Sequence, residues 1–560
     1  MFGREPLRVP VGHDAHRWGT FLGERTLVVA ARTVTSTVRV LESLPALLRD
    51  DHRVTVVFAY DPTSAFAAGV LDLLREAGCR VMPWEQLGEV DPDLILSASE
   101  NIDVPEGNCP VLVLPHGVGF QKLVPDSRGA HDRLSGVVPD SLLESGRAWL
   151  AVSHPSQEEQ LLATHPKTAE RTLLVGDPCL DELMSSGRMR SAYRAALGVR
   201  PDQSLVMLSS TWGPTSLLGT QPDLPARLLA QLPYDDYKVG AIVHPNVWSA
   251  HGAWQLRTLQ ATALDAGLLL MPAVHAWRPA LVAADVLIGD HGSVTLYGAC
   301  LDTPLLLAAF GSDAVPGTAV QALADLAPRL DPRGDLRGQI DAAVRGHSPG
   351  RYASVSARAF AEPGHALARL RTTLYRLLGL SEPGTEPPYS LAVPPAASPA
   401  ARVTSWRVTT EVGGTAERPA VTVRRVPAAV AGHADAVSVR PGVVSHLACT
   451  DDERDGRIAA SASTIVRRHC APNAGEALTW IEDTLVRLPG SLLAVSAVQG
   501  QACLVGLRDS RIVEVVDAAG AGDPGVSASV VYAALLAELP LEGSVRTGGR
   551  AVVLRVRPVS

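Results

Sequence analysis

The chain has little that would tie it to an oxidising compartment, a membrane interior or a nucleic acid. Its seven cysteines, Cys79, Cys109, Cys179, Cys300, Cys449, Cys470 and Cys503, are scattered and contain no C-x-x-C pair. That argues against a disulfide framework or a structural zinc site and for a reducing compartment. No run reaches the roughly 18 apolar residues needed to span a bilayer. The N-terminal stretch MFGREPLRVPVGHDAHRWG lacks the apolar centre of a secretory signal. The expectation is a cytoplasmic protein, with peripheral contact at the inner face of the membrane left open. The net charge of −8 offers no basic field for nucleic acid as the main partner. There is no G-x-x-x-x-G-K-[ST], which removes the P-loop nucleotide sites.

What is present is length, 560 residues, and apolar content, 46%, enough for several cores. From about residue 25 short β-branched runs alternate with helical spacing: RTLVVAA, RVTVVFAY, PDLILSA and CPVLVLPHG are strand candidates. The alternation resumes after about residue 150 with AWLAVS, TLLVGDP, SLVMLSS, VGAIVHP, LLLMPA, DVLIGDHG and PLLLAAFG. Buried strands alternating with helices predict parallel sheets covered on both faces. The pattern predicts an α/β Rossmann-like domain over 1–150 and a second over 151–380, with 355–380 as helix closing the second. Residues 381–402, rich in Pro and Ala, read as an extended linker. Residues 403–560 mix alternating strands with an amphipathic helix and read as an α+β domain without an assignable motif.

Ligands on parallel sheets bind at the carboxyl ends of strands, and three such ends carry reactive side chains. LPHGVGFQKL places His116 there, a residue whose ordinary pKa suits a general base. Gly117 and Gly119 allow close backbone approach, and Lys122 adds a cation for phosphate. AIVHPNVW runs a strand directly into His244 and Pro245. DVLIGDHGSVTLY ends a strand in Asp290, His291, Gly292 and Ser293 at the start of a helix, a pattern that either caps the helix or holds an anion. A polar loop after another strand, SSTWG, offers Ser209, Ser210 and Thr211 for phosphate or forms a plain turn. GDPCLD, with Asp177 and Asp181, reads mainly as a structural turn. Histidines at strand ends in two successive sheet units would face each other across a cleft.

The order of these pieces resembles the CDP-glycerol glycerophosphotransferase family, the teichoic-acid polymerase type of GT-B enzyme. The resemblance spans roughly residues 25–380: His116–Gly117 with Lys122, AVSHPS from Ala151, GDPCLD from Gly176, SSTWG from Ser209, VHPN from Val243, and DVLIGDHGS followed by LDTPLLLAAFG. It implies a GT-B-like pair of Rossmann-like domains around a nucleotide-linked donor. It also implies His116 as the base for an acceptor hydroxyl on a cell-envelope glycopolymer, with Gly117 and Lys122 on the acceptor or a phosphate. His244 and Ser293, with Thr211, Asp290, His291 and Gly292, would hold the donor, and no metal or cofactor would be required. Two positions depart from the family: Gly213 stands where it has an arginine after Trp212, and His291–Gly292–Ser293 replaces an aromatic–Ser–Ser cluster. Two further readings remain. One is a GT-B enzyme of UDP-sugars, a glycosyltransferase or 2-epimerase. The other is an inactive GT-B scaffold that binds nucleotides or protein partners.

Overall fold

The computed structural model describes residues 9, 11, 14–126, 131–395, 402–415, 418–433, 442–499, 502–517, 522–547 and 550–557. The first apolar runs pair into a seven-stranded sheet. Its spatial order is Val81–Pro83, Val54–Tyr60, Arg25–Ala31, Leu94–Ser97, Val111–Val113, Ala148–Val152 and Thr172–Leu174. Every pairing is parallel. The second sheet has five strands in the order Leu269–Leu270, Tyr237–Val243, Ser204–Ser210, Val286–Gly289 and Leu305–Leu307, again all parallel. In both sheets the order reverses beside the strand that comes first in the chain, leaving a crevice beyond the carboxyl ends. The crevice falls between Ala31 and Ser97 in one sheet and between Ser210 and Gly289 in the other. These are the two parallel, Rossmann-like sheets expected from the sequence.

The boundary between the units differs from the expected one. Ala148–Val152 and Thr172–Leu174 complete the first sheet, so it runs past residue 150. The helix Ala366–Leu378 also returns to that sheet. Its Leu367, Leu370, Leu374 and Leu378 recur at helical spacing and are buried with Leu27, Val29 and Leu96. The neighbouring helix Ala353–Ala359 packs instead in the second unit, through Val355 and Ala359. The chain therefore crosses between the units twice, after Leu174 and again before Ala366.

Over 403–557 strands and helices combine as expected of an α+β domain, and among the described residues nine strands close into a barrel, which the sequence did not foretell. Closure leaves no free sheet edge. The helix Pro524–Leu536 is apolar on every side and buries Ala528, Val530, Val531, Ala533 and Ala534 against the barrel strands. Such a helix has no solvent-facing stripe and must be covered all round. The amphipathic helix Ala474–Arg487 covers the wall with Ala477, Ile481 and Leu485. The barrel docks on the second unit: Val430 is fully buried in that unit's core. Buried Arg425 bonds Asp235 at 2.6 Å and Asp523, the cap of the central helix, at 2.8 Å. Residues 381–395 have no regular structure, as expected of a linker, and are tied down by Tyr193 Oη donating to Ala392 O at 2.6 Å; the linker's 396–401 lie outside the described residues.

Candidate functional site

A cavity of about 770 Å³ lies between the carboxyl ends of the two sheets, within the size range of cofactor and ligand sites. His116, Gly117, Lys122, Thr211, His244, His291, Gly292 and Ser293 all line it. The residues singled out by strand-end position thus converge, although they come from four separate loops. Asp290 is the exception. It is fully buried and its carboxylate accepts the amides of Thr211 at 2.8 Å, Leu217 at 2.9 Å and Gly292 at 2.9 Å. Burial pushes its pKa up, against those bonds and His291. Asp290 shapes the two loops at the switch point of the second sheet and does not face the cavity.

The two strand-end histidines hold opposite tautomers. His116 Nδ1 lies 3.2 Å from Ala98 O, at the end of the neighbouring strand. A carbonyl only accepts, so Nδ1 carries the proton and Nε2 keeps its lone pair. His244 Nδ1 lies 3.1 Å from the amide of Asn246. An amide only donates, so Nδ1 accepts and the proton of the neutral ring sits on Nε2. Pro245 places His244 at the cap of the helix Pro245–Leu259, which is why that amide is available. Desolvation pushes the His244 pKa down to about 3, aided by the like charges of His116 and Lys122. His244 is therefore neutral at ordinary pH and carries its N–H on Nε2.

Beside them the helix Ser293–Cys300 begins at Gly292, and no side chain caps its first amides. An uncapped helix start is electropositive and suits an anion. Ser293 Oγ accepts the amide of Val118 at 3.1 Å, so this hydroxyl joins the two units. Gly117 is required there: a Cβ on it would stand 2.7 Å from Ser293 Oγ. His291 is committed to structure. Its Nδ1 accepts the amide of Gly311 at 3.2 Å and its Nε2 lies 3.1 Å from Asp313.

The charges lining the cavity are balanced in pairs. Arg32 meets Asp61 at 2.9 Å, Arg39 meets Asp177 at 2.6 Å, Lys122 meets Asp313 at 3.1 Å and Arg133 meets Glu100 at 2.8 Å. Arg278 forms a two-pronged bond with Glu42. These five are the lysines and arginines of the lining among the described residues. The buried pairs cost desolvation, which their mutual attraction must offset. Bonds from His275 and Arg278 outweigh the burial of Glu42 and hold its pKa at about 2. Asp177 also caps the helix Pro178–Ser185 and accepts from Tyr297 Oη at 2.6 Å, while Asp181 accepts the amides of Gly364 and Ala366. The structural reading of GDPCLD holds for both aspartates. Sequence reasoning missed Arg39, Glu42, Arg278, Asp313 and the Glu100–Arg133 pair. Each is a single charge whose partner lies far away in the chain.

Among the described residues no group of three or more His, Cys, Asp and Glu has the arrangement of a metal site. No helix among them is long and apolar enough to cross a membrane.

No family model matches the chain, and no curated protein matches it. It is similar to solved structures. One, of the wall teichoic acid polymerase TagF, aligns at 14% identity with a TM-score of 0.44, covering 64% of this chain and 90% of the polymerase. A UDP-GlcNAc 2-epimerase from Neisseria meningitidis aligns at 13% identity with a TM-score of 0.38, covering 63% of this chain and 99% of the epimerase. A glycosyltransferase from Rickettsia africae ESF-5 aligns at 10% identity with a TM-score of 0.37, covering 64% and 99% respectively. The polymerase type that the sequence resembles thus stands among the solved structures similar to this chain.

Proposed function

We propose that the chain is a GT-B-type transferase. It takes a nucleotide-linked donor of the CDP-glycerol kind and moves glycerol phosphate, or a related polyol phosphate or sugar, to a hydroxyl of a cell-envelope glycopolymer. The observation that carries this reading is the pair of opposed tautomers across one cavity: a free lone pair on His116 Nε2 and an N–H on His244 Nε2. The first removes a proton and the second stabilises an anion. In the reaction with CDP-glycerol the acceptor oxygen attacks the phosphorus that bears glycerol, and its proton passes to His116 Nε2. The bond from that phosphorus to the bridging oxygen breaks, and CMP leaves with the electron pair. His244 Nε2–H, the Thr211 hydroxyl and the uncapped amides at Ser293 face the developing charge, a placement that favours the transition state over the ground state. Because every cation of the lining has a carboxylate partner, dipoles rather than free charges would hold the pyrophosphate. The expected setting is cytoplasmic, where nucleotide donors are made.

The VHPN stretch from Val243, which resembles UDP-sugar enzymes too, supports a second reading, a UDP-sugar as donor, whereas the absent arginine at Gly213 favours an inactive scaffold. Thermal shift against CMP, CDP, CDP-glycerol, UDP and UDP-sugars, with His244→Ala alongside, separates the two. A ligand at 100 times its dissociation constant raises stability by about 2.7 kcal/mol. A cytidine-specific shift that His244→Ala loses supports the first reading, and a uridine-specific shift supports the second. No shift with any nucleotide makes the chain a scaffold without this activity.

A further inference from the structure

The sequence offers Lys122 as a phosphate ligand, yet its ammonium is held by Asp313 and Trp212, both of the other unit. Its Nζ lies 3.1 Å from Asp313, donates to Trp212 O at 3.0 Å and stands 4.9 Å from the centre of the Trp212 ring. Around it the main chain is joined across the units. Leu123 N donates to Asp313 O at 2.7 Å, Val315 N donates to Gln121 O at 3.0 Å, and Lys122 pairs with Ala314 as an antiparallel bridge. Asp313 is held in turn by buried His291. On the other side Phe120, at φ 62, is buried in the core of the first unit. The loop that carries His116 is therefore anchored in one unit and fastened to the other, where a Cβ on Gly117 would stand 2.7 Å from Ser293 Oγ.

We propose that Lys122, Asp313 and His291 form a latch between the units, and that Lys122 positions the His116 loop against the start of the helix Ser293–Cys300 rather than binding phosphate. The proposal rests on the reading of His116 as the base, because the latch fixes where Nε2 stands relative to the donor. A base displaced by about 1 Å costs rate on the order of a hundredfold, so the latch supplies geometry that domain closure would otherwise have to provide. It also gives Asp313 a function: its pKa stays well below the ordinary carboxylate value because His291 and Lys122 outweigh its desolvation.

The test is amide hydrogen exchange over 118–123 in Lys122→Met, Asp313→Asn and Lys122→Arg, with CDP and UDP affinities of the same proteins. Loss of a charged hydrogen bond is expected to raise exchange at Val118 and Leu123 roughly tenfold or more in Lys122→Met and Asp313→Asn. Lys122→Arg restores protection, and the strand Tyr237–Val243 exchanges as in the wild type. Nucleotide affinity in Lys122→Met stays within about twofold. Unchanged exchange over 118–123 in both disrupted variants overturns the latch. So does a large loss of nucleotide affinity in Lys122→Met with protection intact, which would return Lys122 to phosphate binding. If neither nucleotide binds the wild type, the proposed function falls and the exchange result alone decides the latch.

Discussion

His116 and His244 each follow an apolar strand, one in each unit, yet they offer Nε2 to the same cavity in opposite protonation states, bare in the first and as N–H in the second. The next residues decide the difference. Pro245 starts a helix immediately, so His244 becomes its cap and its Nδ1 is taken by Asn246 N. Gly117 starts a loop, so His116 is left to reach sideways to Ala98 O on the adjacent strand. One signature in sequence, a histidine at a strand end, therefore yields a free lone pair on Nε2 in one unit and an Nε2–H in the other. The lesson is that the role of a histidine is set by the partner of the nitrogen that faces away from the ligand.

The largest effect should come from the base. His116→Ala is expected to lower transfer by roughly 10²- to 10⁴-fold, the usual contribution of general base catalysis, while nucleotide affinity stays within about twofold. His116→Asn can still donate to Ala98 O but has no base, and should lose as much. A transfer assay on whichever donor the nucleotide panel selects measures both. If His116→Asn retained turnover, the orienting bond and not the lone pair would be what matters, and the contrast between the two histidines would fail.

A histidine outside the cavity sharpens the contrast. His446 lies inside the barrel, stacked on Tyr532 with ring centres 4.1 Å apart, and its Nδ1 has no partner. Burial lowers its pKa to about 4. Below the unfolded pKa near 6.5 the unfolded chain takes up a proton that the folded barrel refuses. Stability attributable to His446 is thus complete above pH 6.5 and is lost as pH falls towards 4, by about 3 kcal/mol. His446→Phe keeps the stack and should remove that slope. Hydrogen exchange of the strand Val443–Thr450 at pH 7 and pH 4.5 measures it; equal slopes in the two proteins would refute the assignment.

Much of this architecture was legible because parallel sheets write themselves as short apolar runs. The strand ends at His116, Thr211, His244 and Gly292 were recoverable for the same reason, since each run stops in polar residues where the sheet meets the cavity. The unit boundary was not legible. Thr172–Leu174 looks like any other strand, and its sheet is fixed by pairing with Val152 and its neighbours, not by its own residues. The barrel escaped because closure depends on strand partners: Arg418–Pro427 and Gly543–Thr547 meet through a single bridge, Ala420 to Arg546. The ionic pairs escaped for the plainest reason. Arg278 and Glu42 are 236 residues apart, and nothing local to either predicts the other. Asp290 was chosen for the right loop and the wrong contact, because a carboxylate beside two turns is as readily taken by amides as by a ligand.

The donor histidine should show a smaller effect than the base, and in affinity. His244→Ala removes one hydrogen bond to a charged phosphate, expected to weaken CDP binding by roughly ten- to a hundredfold. The pH dependence distinguishes its form. With a pKa of about 3, His244 is neutral from pH 8 to pH 5 and its contribution should be flat over that range. A wild-type affinity that climbs as pH falls through 7, and a His244→Ala affinity that does not, would mean that the residue binds as a cation.

The smallest effect tests whether His-Pro at a strand end signals a ligand at all. His154 follows the strand Ala148–Val152 by two residues, precedes Pro155, and caps the helix Pro155–Thr164 through its Nδ1, which accepts Ser156 N at 3.0 Å. The capping bond is the one His244 makes, but His154 is not part of the cavity lining. His154→Ala should therefore cost about 0.5–1 kcal/mol of stability, the worth of a lost cap, and leave nucleotide affinity unchanged. Calorimetric melting with and without CDP reads both quantities. Equal melting losses in His154→Ala and His244→Ala, with affinity falling only in the second, would show that capping is what the His-Pro pair encodes. Function would then depend on which sheet turns that cap towards the cleft, and the strand order of the two sheets decides that.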